Sequence, residues 1–389
     1  MATECIETVY SRTSGGQFHP GSVYYVLNRS RIDCCKIVWV CPKNNSISFA
    51  GNNIEKQAML YKKDKCSISI EEAGENGLKS IEVVPDDPSA FISKRTCTTA
   101  YPLELIELIL KIKGPYGLCD EILRDEKPDY VQISLHYDLL AYIEEAAFAG
   151  ARILDFGCGS GASTAILGRM FPQSRIVGLE LNASLLDIAR ARATHYALSH
   201  VTFEHSIDPL HLPEGLGRFD FIVLSAVFEH LLPQERRELF PKIWSMLKPG
   251  GTLFMNQTPH RFFPVETHTT GLPFINYLPD KLAYHCARRF SKRNLKNTDW
   301  PALLRGGIRG TTPKEIMNIL AGCPESAVLL EPSRLGIRNR LELWYIKLDR
   351  SKYPKLKEFY AVFARLLYSI GILLLPHVSI AIQKKLKSQ

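Results

Sequence analysis

The chain has 389 residues, of which 46% are hydrophobic and 23% charged. This is the balance of an ordinary soluble globular protein, with enough apolar material for a sizeable core without disulfides or metals. The net charge of +8 favours acidic partners (nucleotide-linked molecules, nucleic acid or an anionic membrane surface) or reflects a solvated basic face, and the ten cysteines form no Cys-x-x-Cys pair, which excludes a zinc ribbon or a thioredoxin-like site.

Residues 1 to about 125 read as an N-terminal β-rich domain. The runs CKIVWVCP (35–42), SISFAG (46–51), CSISIEE (66–72) and KSIEVVP (79–85) are short and β-branched, with polar clusters between them, and a helix is expected at Leu103–Lys113. The opening MATECIETVYSR lacks a basic-then-apolar leader pattern, so the cysteines read as reduced thiols of a cytoplasmic protein.

From about Tyr130 the pattern changes, and residues 130–349 read as an α/β core. A helix (136–148) precedes strands at 151–157, 175–181, 200–206, 219–227 and 250–258, with helices at 162–171, 183–197 and 233–248 between them. This alternation predicts a doubly wound, mostly parallel sheet that binds ligand at the carboxyl ends of its strands. A loop over 258–310 follows, irregular and rich in aromatic residues through Pro279, which marks it as a substrate loop. Thr312-Pro313 opens another helix, and SAVLLEP (326–332) and HVSIAIQ (377–383) supply the last two strands. Residues 350–389 form a C-terminal helix and final strand. The apolar stretch Leu366–Ile382 is read as a helix ending near Leu375 and a strand from His377 to Gln383, with peripheral membrane contact as the competing reading.

The chemistry concentrates at Asp155-Phe156-Gly157-Cys158-Gly159-Ser160-Gly161, where a strand turns into a helix. Glycines at such a turn permit positive φ and close approach of backbone to ligand. The spacing is Gly-x-Gly-x-Gly, not the Gly-x-Gly-x-x-Gly of dinucleotide sites. Asp155 beside the turn would repel a pyrophosphate but suits a cationic ligand. Glu180 ends the next strand, where an acid can accept hydrogen bonds from ribose hydroxyls. The competing reading makes Asp155 a helix cap and Glu180 a plain surface acid. Cys158 is a small spacer inside the turn, a redox role requiring a low thiol pKa.

At these residues the chain resembles the class I S-adenosylmethionine-dependent methyltransferases. Asp155–Gly161 looks like their first motif and Glu180 like the acid ending their second strand; Phe219–Leu231 and Leu247–Met255 are similar to their fourth-strand and helix–turn–strand motifs. The resemblance covers roughly Tyr130 to Gln257. It implies S-adenosyl-L-methionine as cofactor, held by Asp155, Gly157, Cys158, Gly159, Gly161, Glu180, Leu181, Ser206, Ile207 and Ser225. The third strand departs from the family's Gly-Asp ending, with Ser206-Ile207 at that point and Asp208 one position late. Ile207 is therefore expected to pack against the adenine. The Glu229-His230 pair is similar to the branch acting on quinone precursors, sterols and other small molecules, and the 258–279 segment to uncharacterised bacterial methyltransferases of glycans or lipids.

His230 is the first candidate base, against a reading as a hydrogen-bonded structural histidine, and His268 the second. His260, Arg261 and Glu266 are candidate substrate contacts, Arg261 for a carboxylate or phosphate. Glu266 and His268 could share a metal, but no third ligand is evident, so no metal is assigned. The cluster Arg288–Arg293 reads as a solvated helix face or an anion contact. The expected function is methyl transfer to a small-molecule, lipid or glycan acceptor, more at oxygen than at carbon. The alternatives are RNA or protein methylation, a binding module without turnover, and an NAD-dependent dehydrogenase. Ser225-Ala226-Val227-Phe228 argues against methylation of base amines, because it is unlike the Asn-Pro-Pro-Tyr motif.

Overall fold

The computed structural model describes residues 8–12, 18–22, 38–41, 46–49, 59–73, 77–87, 94–348 and 354–385. The chain divides into two units, Met1–Glu126 and Lys127–Gln389. Among the cysteines, Cys66, Cys97, Cys119, Cys158, Cys286 and Cys323 are free thiols. Cys5, Cys34 and Cys35 lie outside the described residues, as do the ends of the strands expected at 35–42 and 46–51.

The first unit carries an antiparallel sheet whose six strands lie in chain order: Val38–Cys41, Ser46–Phe49, Met59–Lys63, Cys66–Glu72, Lys79–Pro85 and Arg95–Thr99. Thr8–Arg12 and Phe18–Ser22 pair separately. Alternation sets the buried face: Cys66, Ile68 and Ile70 point inward on one strand, Ile81 and Val83 on the next. The expected helix Leu103–Lys113 runs on to Glu126, because Gly114 adopts φ 73° and Pro115 starts a second helical segment after the kink.

The second unit is a seven-stranded sheet. Its strands are β1 (Arg152–Phe156), β2 (Arg175–Glu180), β3 (Val201–His205), β4 (Phe219–Ser225), β5 (Leu247–Pro259), β6 (Ser326–Leu330) and β7 (His377–Lys385). They lie in the order β3-β2-β1-β4-β5-β7-β6, with β7 antiparallel to both neighbours and the other pairs parallel. Ile153, Leu154, Ile222, Val223 and Leu224 are fully buried, as strands covered on both faces require. The order reverses between β1 and β4, and ligands of open α/β sheets bind beyond the strand ends at such a point.

The helices are α1 (Ile133–Leu140), α2 (Ala162–Met170), α3 (Ala183–His195), α4 (Pro233–Ser245), α5 (Asp280–Phe290), α6 (Trp300–Arg305), α7 (Pro313–Leu320), α8 (Arg340–Ile346) and α9 (Pro354–Ser369). Local signals start several of them. Asn182 accepts from the Ser184 amide to cap α3, and Thr312 accepts from the Glu315 amide to cap α7. α1 is shorter than the expected 136–148 helix. The Ala141 carbonyl is taken by the Ser333 and Arg334 amides, and Glu145–Phe148 forms a separate 3₁₀ turn.

Two further corrections concern the C-terminal half. The 258–310 loop is ordered: it contains α5 and α6, with Ile275, Ala283, Ala287, Leu303 and Ile308 in a small core of their own. Helix α9 ends at Ser369, not near Leu375, because Gly371 turns at φ 83° and the Ile372 amide closes on the Leu367 carbonyl. The final strand continues two residues past Gln383 to Lys385. The apolar stretch is thereby split, with Leu366, Ile370 and Ile372 exposed and Val378, Ile380 and Ile382 buried in the sheet. Among the described residues no helix is long and apolar enough to cross a membrane.

Candidate active site

A cavity of about 260 Å³ opens where β1 and β4 diverge, walled by Gly157, Glu180, Leu181, Ser206, Val227 and His230 among others. The glycine turn forms its floor. Gly157, Gly159 and Gly161 all have positive φ. Gly157 and Gly161 are also sterically required: an added Cβ at Gly157 would lie 2.8 Å from Val227 Cγ2, and one at Gly161 would lie 2.6 Å from Ala189 Cβ. The turn is thus pressed between the end of β4 and helix α3.

Glu180 is pinned by backbone. Its Oε2 accepts from the Gly159 amide at 2.9 Å, and its Oε1 from the Leu181 and Asn182 amides at 2.9 and 3.0 Å. The carboxylate is fixed at the cavity wall, and Oε2 retains capacity for a second donor. Arg305, also in the lining, is committed to Glu235 at 2.5 and 2.6 Å. A pyrophosphate would meet the Glu180 carboxylate without a free guanidinium to offset it; a phosphate-free, positively charged nucleoside suits that acid.

Asp155 does not line this cavity, contrary to a direct cofactor role. It is buried, and its Oδ2 accepts from the Ser163 and Thr164 hydroxyls at 2.7 and 2.6 Å, which fastens β1 to the first turn of α2. Burial raises its pKa to about 6, against the lowering effect of those hydroxyls. Cys158 packs below the turn, 3.0 Å from where a Cβ on Gly178 would stand. Burial pushes its thiol pKa well up, which opposes redox reactivity. Ser225 lies at the end of β4 outside the lining, and Ala226, with φ 54°, takes its place at the wall.

Ile207 is a correction. It is 88% exposed and absent from the wall, where Pro209 stands instead. The cause is a turn: Asp208 Oδ1 accepts from the Leu210 and His211 amides, and the Ser206 hydroxyl donates to the Asp208 and His211 carbonyls. This Asx turn throws Ile207 outward and folds Pro209 back.

At the opposite wall, the 3₁₀ turn Phe228–His230 presents His230, with Glu229 buried beside it. The His230 Nδ1 lies 2.6 Å from the Arg305 carbonyl, so it must carry the proton, leaving Nε2 with a lone pair when the ring is neutral. Glu229 is fully buried behind it. One carboxylate oxygen accepts from the Thr258 hydroxyl at 2.9 Å; the other, Oε1, has no hydrogen-bond partner and lies 3.9 Å from His230 Nε2. Burial raises the Glu229 pKa. The His268 ring is 5.4 Å from that of His230, and burial together with His230 lowers its pKa. Ligand-capable atoms of Glu229, His230 and His268 lie within 4.8 Å of one another, a spacing that serves a proton relay or a metal ion. Sequence reasoning noted Glu229 but gave it no role. Its signal was an acid directly before a candidate base.

The remaining candidates are dispersed. Glu266 is a loop-ordering residue, its oxygens accepting from the Thr269 and Thr270 amides and the Thr270 hydroxyl, so it does not share a metal with His268. His260 is partly buried, with Nδ1 accepting from the Phe262 amide, and burial lowers its pKa. Arg261 lines a different cavity. In the basic cluster, Arg293 donates to the Thr267 and His268 carbonyls and Arg288 to that of Lys296, so both hold their own loop.

A family profile described as a methyltransferase domain matches residues 153–251. The chain is 34% identical over 116 residues to trans-aconitate 2-methyltransferase of Deinococcus radiodurans, covering 30% of this chain and 40% of that protein. It is 26% identical over 226 residues to the ubiquinone biosynthesis O-methyltransferase of Xanthomonas campestris pv. campestris, covering 57% of this chain and 84% of that one. Demethylmenaquinone methyltransferase of Lactococcus lactis is 28% identical over 131 residues, with 33% and 51% covered. The profile match over residues 153–251, together with the glycine turn, Glu180 and the strand order, makes the second unit similar to S-adenosylmethionine-dependent methyltransferases.

Proposed function

We propose that this chain transfers a methyl group from S-adenosyl-L-methionine to an oxygen of a small-molecule, lipid or glycan acceptor, with His230 as the base. The observation that carries the proposal is the His230 ring. Its Nδ1 proton is committed to the Arg305 carbonyl, which leaves Nε2 of the neutral ring as the acceptor on a side chain at the wall of the cavity that Glu180 also lines. The cofactor supplies a methyl carbon on a sulfonium, whose leaving group is a neutral thioether. Glu180 would hold the ribose hydroxyls, and Gly157 would let the backbone approach. His230 Nε2 would take the proton from the acceptor oxygen as that oxygen receives the methyl group. The resulting imidazolium faces the free Oε1 of Glu229, which stabilises it. Alignment and exclusion of water supply the rest of the acceleration.

The names of the relatives, a quinone-precursor O-methyltransferase among them, support a small acceptor. A lipid-linked acceptor draws support from α9, where Phe359, Val362, Phe363 and Leu366 form an exposed apolar stripe at helical spacing, as expected of peripheral membrane contact from the cytoplasmic side. The test is incubation of cell extract with the protein and methyl-labelled cofactor, followed by identification of the product. Label on a small or lipid-extractable molecule, lost with His230→Gln, is expected. Label confined to RNA or protein overturns the acceptor class.

A further inference from the structure

A second cavity, of about 1050 Å³, lies between α4, α7 and the start of the 258–310 segment; no residue lines both it and the first cavity. Its charges do not balance. Five cationic side chains line it: Arg236, Arg237, Arg261, Arg309 and Lys314. The three acids in its wall are all paired: Glu315 with Arg236 at 2.9 Å, Asp280 with Arg309 at 2.5 Å, and Glu325 with Lys384 at 3.0 Å. Arg237, Arg261 and Lys314 have no hydrogen-bond or ion-pair partner among the described residues.

Arg261 is the most telling of the three. Its backbone amide is fixed to the Thr311 carbonyl. Its guanidinium is half-buried; its charged neighbours are Arg309 and Arg236 and the acids Glu315 and Asp280, which those two arginines already occupy. Burying an unpaired cation beside like charges is unfavourable, and an anion in the cavity relieves it. The remaining wall mixes apolar side chains, Phe262, Leu304 and Ile319 among them, with the polar Ser245, Thr312 and Asn318.

We infer that this cavity is a binding site for an organic anion, a phosphate or carboxylate group carried on an apolar body, with Arg261 as its principal contact. Unlike Arg236 and Arg309, Arg261 has a guanidinium that no acid or carbonyl occupies, and its fork geometry suits a bidentate oxyanion. The inference does not depend on methyl transfer, because the two cavities share no lining residue.

The experiment is calorimetric titration of the full chain with inorganic phosphate, citrate and phenyl phosphate, at constant ionic strength. Saturable binding of phenyl phosphate is expected, at least tenfold tighter than inorganic phosphate because the ring engages the apolar wall. Citrate binding tighter than phosphate assigns the carboxylate as the preferred group, and the reverse assigns the phosphate. Arg261→Ala should weaken these probes at least tenfold, and Arg261→Lys should restore only part of the loss. A parallel titration with S-adenosylmethionine should be unaffected by Arg261→Ala, which separates failure of this site from failure of the first. Absence of saturable binding at millimolar probe, equal affinity for phenyl phosphate and inorganic phosphate, or unchanged binding by Arg261→Ala overturns the inference.

Discussion

The two walls of the first cavity are built on opposite terms. On the glycine-turn side the carboxylates are held: Glu180 at the wall by three backbone amides, and Asp155, outside the lining, by two hydroxyls. On the other side, Glu229 keeps a buried oxygen without a partner, and His230 keeps Nε2 open. Saturated groups make a rigid template, suited to a ligand that is always the same. Unsaturated buried groups carry a desolvation cost that a template alone does not explain, and they mark where charge or a proton is handled. Under the proposed function, cofactor binding belongs to one wall and acceptor chemistry to the other, and each half can be broken separately.

The largest effect is expected at the unsaturated wall. His230→Gln should lower turnover by about 10²- to 10⁴-fold, the usual contribution of a positioned base. The dissociation constant for S-adenosylmethionine should change by no more than about threefold. Equal losses in both would make His230 part of the template. Chelation sharpens the same wall. With His230 as base, dialysis against EDTA leaves turnover unchanged, whereas loss restored by added zinc or manganese would assign Glu229, His230 and His268 to a metal.

The saturated wall should respond in stability. At Gly161, with φ 79° and Ala189 2.6 Å from an added Cβ, Gly161→Ala should cost about 2–5 kcal/mol, read from denaturant unfolding. A loss below about 1 kcal/mol would show that the turn can yield. Asp155 gives a pH signature. Its folded pKa of about 6 exceeds the ordinary 3.8, so the native state holds its proton more tightly than the unfolded chain does. The stabilising contribution is full below about pH 3.8 and lost as pH rises through about 6. At about 1.4 kcal/mol per unit, it amounts to about 3 kcal/mol. Asp155→Asn, which retains an acceptor for the hydroxyls, should flatten the stability profile across that window. An unchanged profile would assign the slope to other groups.

Much of the template was legible in the sequence, because it is written in local chemistry. Gly-x-Gly-x-Gly demands a strained turn wherever it falls, and an acid ending the next parallel strand must stand beside that turn. What escaped depends on tertiary partners or on competing local bonds. Ile207 was expected to meet the adenine, but the Asp208 turn exposes it and brings Pro209 to the wall. Glu266 is two residues before His268 in sequence, yet its oxygens close on Thr269 and Thr270 while Glu229, from the end of β4, meets the histidine pair. Arg261 follows β5 directly but lines the second cavity, a placement set by the packing of α4 and α7 that no local spacing encodes. The early end of α9 could have been read from Gly371, had a glycine inside an apolar run been given the weight of a helix stop.

The central claim is that the cavity lined by Glu180 holds S-adenosylmethionine. Calorimetric titration of the wild-type chain and of Glu180→Ala tests it most directly. The predicted result is saturable binding of one cofactor per chain, weakened about 10- to 100-fold in Glu180→Ala by loss of charge-assisted hydrogen bonds. No binding at millimolar cofactor, or equal affinity in the two proteins, would contradict it.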